Sequence, residues 1–305
     1  MKVALLAGGT GGAKLAAGAQ ELLGEDLAVI VNTADDVEAH GLHVSPDPDL
    51  VTYWLAGEID EERGWGIRDD ASVVSEWLGR LGAPDWFTLT DRDLATCLYR
   101  TAFRAEGGTL TAAQGQIARA LGARGLVLPM CEQKVRTFVH TPGGRRGLQE
   151  FLILDGGEAA IEGIEVEGLD AAEPTTEVLE ALREADAIVI GPSNPVISIG
   201  PILSVPGMRE AIAGASAPVI AVSPFVAGRA IKGPTEAFMA AIGRPASAAG
   251  AASLYAGMLD AIVVDAGDPG PPPEGLRVLS CPTLMEGPDG RRALAKRVLD
   301  LAGEL

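Results

Sequence analysis

The first apolar run, residues 2–7, stops at Gly8-Gly9-Thr10-Gly11-Gly12, and apolar positions resume at helical spacing through Leu15, Ala16 and Leu23. A second run, Leu27 to Val31, follows. Short apolar runs bounded by turn formers, with a stretch of helical period between them, predict a β-α-β unit whose strands are buried. From Asn32 to Pro48 the chain turns polar and rich in turn formers. Helical spacing then dominates, with helices predicted over 50–56, 70–81, 91–104 and 110–121. Strands are predicted at 124–130, 134–140, 148–154, 186–191, 218–222 and 261–264, and helices at 175–184, 207–214, 234–242, 248–257 and 290–302. Pro269 to Pro273 reads as a loop and not as a domain linker. Early and late strands share one pattern around a helical block. The expectation is one α/β domain over residues 1–305, a doubly wound, mainly parallel sheet with a helical insertion at about 50–121.

Composition narrows the partners. Hydrophobic residues are 47% and aromatics only 4%, so the core must be built from Ala, Val, Leu and Ile. Lys and Arg number 24 against 42 Asp and Glu, a net charge of −18, which repels nucleic-acid backbones and anionic membranes. Phosphate handling in such a chain requires local compensation from backbone N–H groups, Arg or a metal ion. Cys97, Cys131 and Cys281 are widely spaced, and with only His40, His43 and His140 neither a disulfide framework nor a zinc site is indicated. Neither a cleavable leader nor a run of about twenty apolar residues is read, so a cytoplasmic protein is expected.

Four segments carry candidate chemistry. A strand, a glycine turn and a helix together aim free N–H groups at an anion, and glycine admits a phosphate close to the backbone. Gly9-Thr10-Gly11 begins a dinucleotide fingerprint, but the third glycine is replaced by Lys14, and strand two ends in Asn32-Thr33 without a ribose-binding acid. No Walker Lys-Ser/Thr follows, and a tight turn with no ligand is the plain alternative. Asp35, Asp36, Asp47 and Asp49 are oxygen donors suited to Mg²⁺, or else a solvated acidic loop. In Asp91-Arg92-Asp93, Asp91 suits a helix N-cap, and Arg92 suits a salt bridge or a fork for an oxygen-rich ligand. Gly191-Pro192-Ser193-Asn194-Pro195, at a strand's end, suits a nucleobase or phosphate contact, or a rigid turn.

The ordered set is more specific than any member. It runs from Gly8-Gly9-Thr10-Gly11-Gly12-Ala13-Lys14-Leu15 through Val31-Asn32-Thr33-Ala34-Asp35-Asp36 and the stretch Gly41 to Asp49. Gly64-Trp65-Gly66, Asp91-Arg92-Asp93-Leu94-Ala95-Thr96 and Gly191 to Leu203 complete it. In this order, over nearly the whole chain, these segments resemble the CofD family, called FbiA in actinobacteria. The resemblance implies a Rossmann-like fold and a Mg²⁺-dependent 2-phospho-L-lactate transferase of coenzyme F420 biosynthesis, often a homodimer. Such enzymes join the deazaflavin Fo to the phosphorylated acid of a GDP-linked donor and release GMP, the acid being lactate, enolpyruvate or glycerate. Carried over by motif, Asp49 and Arg92 contact Fo, and Asp35 and Asp49 hold the metal. Gly8, Gly9, Thr10, Gly11, Gly12 and Lys14, with Ser193 and Asn194, take the nucleotide diphosphate. Asp49 or Asp47 would orient or deprotonate the attacking hydroxyl.

Two segments depart from the family pattern. Pro48 and Leu50 stand where it commonly reads Leu and Thr around Asp49, and Cys97 stands where it commonly has His. A YvcK-type nucleotide-sensing regulator without transferase activity is the alternative; Asp49, Arg92 and Gly64-Trp65-Gly66 favour the transferase. An NAD(P) dehydrogenase lacks its third glycine and its ribose acid.

Overall fold

The computed structural model describes residues 1–271 and 273–305; Pro272, in the loop expected at 269–273, lies outside the described residues. Seven strands form the central sheet. In chain order they are β1 (Val3–Ala7), β2 (Leu27–Val31), β3 (Leu126–Pro129), β4 (Ala187–Ile190), β5 (Val219–Val222), β6 (Ala261–Asp265) and β7 (Arg277–Cys281). Their spatial order is β7-β6-β5-β4-β1-β2-β3, and every neighbouring pair is parallel. This is the doubly wound order, extended by β7. Winding reverses at β1, whose Val3 is in register with Leu27 of β2 and Ala187 of β4. The crevice between the C-terminal ends of β1 and β4 is where such sheets bind ligands.

Alternation along β1 feeds two apolar layers. Val3, Leu5 and Ala7 face a layer made with α1 (Gly9–Leu23), α2 (Pro46–Ala56) and the C-terminal helix Gly287–Ala302. Ala4 and Leu6 face the other, made with helices Thr176–Glu184, Ile199–Ser204, Met208–Ala213 and Ala248–Leu254. Burial on both faces is why these strands are unbroken apolar runs.

Between β2 and β3 lie a hairpin (Val37–Ala39 with Leu42–Val44), α2, α3 (Val73–Arg80), α4 (Asp91–Ala105) and α5 (Leu110–Leu121). The expected insertion is therefore present, but its first helix starts at Pro46, not at 50. Pro at the first helical position and acids in the first turn favour that start, so Asp47 and Asp49 lie on a helix, not in a loop. The strand expected at 148–154 is instead a helix, Leu148–Ile153. Glu150 accepts the Gly147 N–H at 3.0 Å, and Leu148 and Phe151 are buried at helical spacing. Strand β7 was not anticipated, since an edge strand with mixed burial leaves a weak pattern. Among the described residues no helix is long and apolar enough to cross a membrane.

Helix α1 crosses the C-terminal helix at Gly18, where an added Cβ would stand 2.3 Å from the Arg291 carbonyl oxygen. Gly18→Ala gains about 1 kcal/mol of helix propensity but forces two backbones apart, at roughly 1–3 kcal/mol. Net destabilisation is expected in chemical denaturation. An unchanged or higher midpoint would show that the helices separate freely.

Candidate active site

The glycine turn packs against the Gly191–Asn194 loop across the crevice. Gly8 N–H donates to Ser193 Oγ at 3.1 Å, and Gly9 N–H donates to Asp47 Oδ1 at 2.7 Å. A Cβ on Gly11 would lie 2.2 Å from the Pro192 carbonyl, and one on Gly12 would lie 2.4 Å from Ser193 Oγ. These two glycines answer to packing between loops. Gly9 differs, with φ of 62° and nothing within 4 Å of its Cβ position. With glycine at the N-cap, no N-cap side chain covers the first turn of α1. The N–H groups of Thr10 and Gly11 at that turn form the kind of opening that receives anions.

Beside this turn the Asn32 amide holds two carboxylates. Its Nδ2 donates to Asp35 Oδ1 at 2.9 Å and to Asp47 Oδ2 at 3.0 Å, while its Oδ1 accepts the Ala34 N–H at 2.9 Å. Burial raises the Asp35 carboxyl well above the usual range, and the neighbouring Asp47 charge adds to this. Burial likewise pushes Asp47 up to about 6, against the lowering effect of its bonds from Asn32 and Gly9. Asp36, next to Asp35 in the chain but on the wall of neither cavity described below, accepts the Ser45 hydroxyl and bonds His43 Nε2, each at 2.7 Å. Arg104 donates to His43 Nδ1, which leaves Nε2 as the donor to Asp36. That chain fastens the hairpin to α4.

Asp49, one helical step beyond Asp47, meets a partner from α4. The fully buried Arg100 donates to it, and also to Gln114 Oε1 at 3.1 Å and the His43 carbonyl at 3.3 Å. Gln114 in turn donates to Thr52 Oγ1 at 2.8 Å. Burial pushes Asp49 up to about 6 while Arg100 pulls it down. Arg100, Gln114 and Asn32 escaped sequence reasoning. The only signal for Asn32 was its place at the end of β2, and α4 offered no local mark on Arg100.

Two cavities meet here. One, about 380 Å³, is lined by Gly8–Gly11, Lys14, Asp35, Asp47, Ser193, Asn194 and Lys232. The other, about 550 Å³, is lined by Asp49, Tyr53, Trp65, Trp86, Phe87 and Cys97, and both share Thr10, Asp47, Gln149 and Leu152. A larger groove, about 900 Å³, lies at the N-terminal ends of the strands, around Lys2, Leu27 and Leu126. It is at the wrong end of the sheet for the crevice and gathers none of these groups.

The structure thus brings together the glycine turn, Lys14, Asp35, Asp47, Ser193 and Asn194, with Asp49 in the adjoining cavity. Ser193 and Asn194 spend their polar groups on the loops: Asn194 Oδ1 accepts the Val196 N–H at 2.9 Å and its Nδ2 donates to Thr235 at 3.2 Å. Arg92 is not brought in. Its side chain is 58% exposed, 3.8 Å from Asp70, and lines a separate groove on α4 and α5. Of the expected metal pair, Asp35 shares Asn32 with Asp47, while Asp49 faces Arg100.

The model of the family described as 2-phospho-L-lactate transferase CofD matches residues 3–275. The chain belongs to the CofD family. It is 40% identical to a phosphoenolpyruvate transferase of Streptomyces griseus, over 100% of this chain and 99% of that protein. It is 39% identical to a 2-phospho-L-lactate transferase of Methanopyrus kandleri at the same coverage. Among solved structures, a UPF0052 family member from Bacillus halodurans shares the fold, with a TM-score of 0.64 at 19% identity over 98% of each chain. Within this CofD site, Cys97 lies on the wall of the Asp49 cavity, where burial pushes its thiol up to about 12 and keeps it neutral.

The raised Asp35 carboxyl sets a pH prediction. Folding favours its protonated form, so that contribution is complete below the unfolded value near 4 and is lost as pH rises through the folded one. Asp35→Asn removes the buried charge and keeps an acceptor for Asn32. In chelator-treated buffer at pH 7.5 it should be more stable than wild type, with the gain shrinking toward pH 4. Thermal unfolding against pH checks this; a variant less stable at pH 7.5 contradicts it.

Proposed function

We propose that this CofD member transfers the phosphorylated acid of a GDP-linked donor to the terminal hydroxyl of the deazaflavin Fo and releases GMP. The observation that carries the reading is the junction of the two cavities at Thr10 and Asp47. One side offers the Thr10 and Gly11 N–H groups in the first turn of α1 and two ammonium groups for a diphosphate. The other offers Tyr53, Trp65, Trp86 and Phe87 to a flat fused-ring acceptor. The names of the relatives support the class of reaction.

The hydroxyl oxygen bonds to the phosphorus bearing the acid as the bond from that phosphorus to the bridging oxygen breaks. The bridging oxygen leaves with the electron pair as part of GMP. Asp49 lines the acceptor cavity and, held by Arg100, orients the hydroxyl and takes its proton. The first turn of α1 and Lys14 hold the diphosphate.

Asp35 and Asp47 fit Mg²⁺: both are oxygen donors whose proton affinity burial has raised, and Asn32 keeps them adjacent. Among the described residues no three His, Cys, Asp or Glu are grouped for a metal, so phosphate oxygens and water would supply the other ligands, as Mg²⁺ prefers. When bound, the ion neutralises the diphosphate charge.

Incubation with Fo, Mg²⁺ and lactyl, enolpyruvyl or glyceryl donors should give Fo carrying one phospho-acid, read by mass. Asp49→Asn keeps an acceptor for Arg100 but loses the base, and kcat should fall roughly 10²- to 10⁴-fold. No product from any donor would overturn the reading.

A further inference from the structure

Lys232 belongs to the turn between the short hairpin Phe225–Val226/Arg229–Ala230 and helix Thr235–Ala241, far in sequence from every segment considered above. It lines the cavity of the glycine turn. Its ammonium lies over Gly64, so that a Cβ at that position would be 2.2 Å from Nζ. Gly64 is a wall of the acceptor cavity. Lys232 therefore reaches from one cavity to the border of the other, and the absence of a side chain at residue 64 leaves room for it.

The charges around it are telling. Nearby Arg63, Arg100 and Arg291 are tied to Asp60, Asp49 and Glu61. Among the described residues neither Lys14 nor Lys232 has a carboxylate partner, in a chain with 42 acids. The two ammonium groups also repel: after burial, Lys232 is the next cause holding Lys14 below its ordinary value. Lys14 rests over the Trp54 ring and feels the Glu61 charge, but neither lysine is in a salt bridge among the described residues. Two ammonium groups on one cavity repel in a way that a polyanion between them relieves.

We propose that Lys232 is a catalytic residue that contacts the distal phosphate of the donor, the one undergoing attack, with Lys14 on the same diphosphate from α1. The assignment rests on the transfer reaction proposed above. Because Lys232 stands at the acceptor side, its ammonium meets the non-bridging oxygens on which charge builds as GMP leaves. It takes no proton and forms no bond.

Binding of inorganic pyrophosphate, GDP and GMP to wild type, Lys232→Met and Lys232→Arg, measured by calorimetry alongside kcat, tests this. Lys232 is exposed, so the variants should keep wild-type melting temperatures. Lys232→Met should lose roughly ten- to a hundredfold in pyrophosphate and GDP affinity, with GMP affinity within about threefold. Its kcat should fall roughly 10²- to 10³-fold, and Lys232→Arg should recover most of the pyrophosphate affinity. Wild-type pyrophosphate binding in Lys232→Met, an equal loss for GMP, or no pyrophosphate binding by wild type overturns the proposal. Lys232-dependent pyrophosphate binding without transfer from any donor would support the contact and count instead against the proposed function.

Discussion

The Asn32 carboxamide is the interaction on which this site depends. One Nδ2 group bonds two buried carboxylates, Asp35 and Asp47, that would otherwise repel each other apart. Asp47 in turn accepts the Gly9 N–H, so the end of β2, the start of α1 and the start of α2 are joined through one polar knot. Its geometry follows from the sheet: β1 and β2 are adjacent and parallel, so their C-terminal ends open side by side. An acid at position 32, the usual ribose ligand of dinucleotide folds, would put a third carboxylate into this knot. Asparagine at that position thus lacks the NAD ribose ligand and at the same time makes the acidic pair tolerable.

Arg100 performs the equivalent task for Asp49. Removing one member of such a buried pair leaves the other charge without compensation, at about 3–5 kcal/mol. The pair does more than resist unfolding. Arg100 also donates to Gln114 and the His43 carbonyl, so α5, the hairpin and the Asp49 carboxylate of α2 all meet one guanidinium of α4. A guanidinium fixed from three directions keeps the carboxylate it holds in one orientation when the neighbouring cavity fills.

What the amino-acid pattern revealed, and what it hid, has a physical division. Strands β1, β2 and β4 were legible because burial on both faces demands unbroken apolar runs. The glycine turn was legible because packing against Pro192 and Ser193 excludes any Cβ at Gly11 and Gly12, although that is a structural cause where phosphate contact had been read. Leu148–Ile153 was misread since so short a segment, apolar at Leu148, Phe151, Leu152 and Ile153, fits either period, and Glu150 decides for helix through one hydrogen bond. The partnership of Arg100 on α4 with Asp49 on α2 spans 51 positions, so it exists only once the insertion has folded. Arg92 shows the converse: a motif residue singled out in sequence stands on the exposed side of the same helix whose buried side carries Arg100.

The net charge of −18 appears hostile to an anionic donor, yet it acts mostly from the surface, where salt screens it over about 8–10 Å. Inside the crevice the balance is local. Asp35 and Asp47 contribute negative charge on one wall, and Lys14 and Lys232 contribute positive charge on the same cavity. A diphosphate entering alone would be drawn to the lysines and repelled by the aspartates. A divalent cation entering alone would meet the opposite pair of forces. Each ligand therefore cancels the charge that opposes the other, and the two should bind more strongly together than the sum of their separate affinities. Such coupling is reciprocal by linkage, so whatever factor the cation adds to diphosphate affinity, the diphosphate must return to the cation. Under the proposed function, the paired walls would therefore favour a metal-bound diphosphate over either component alone.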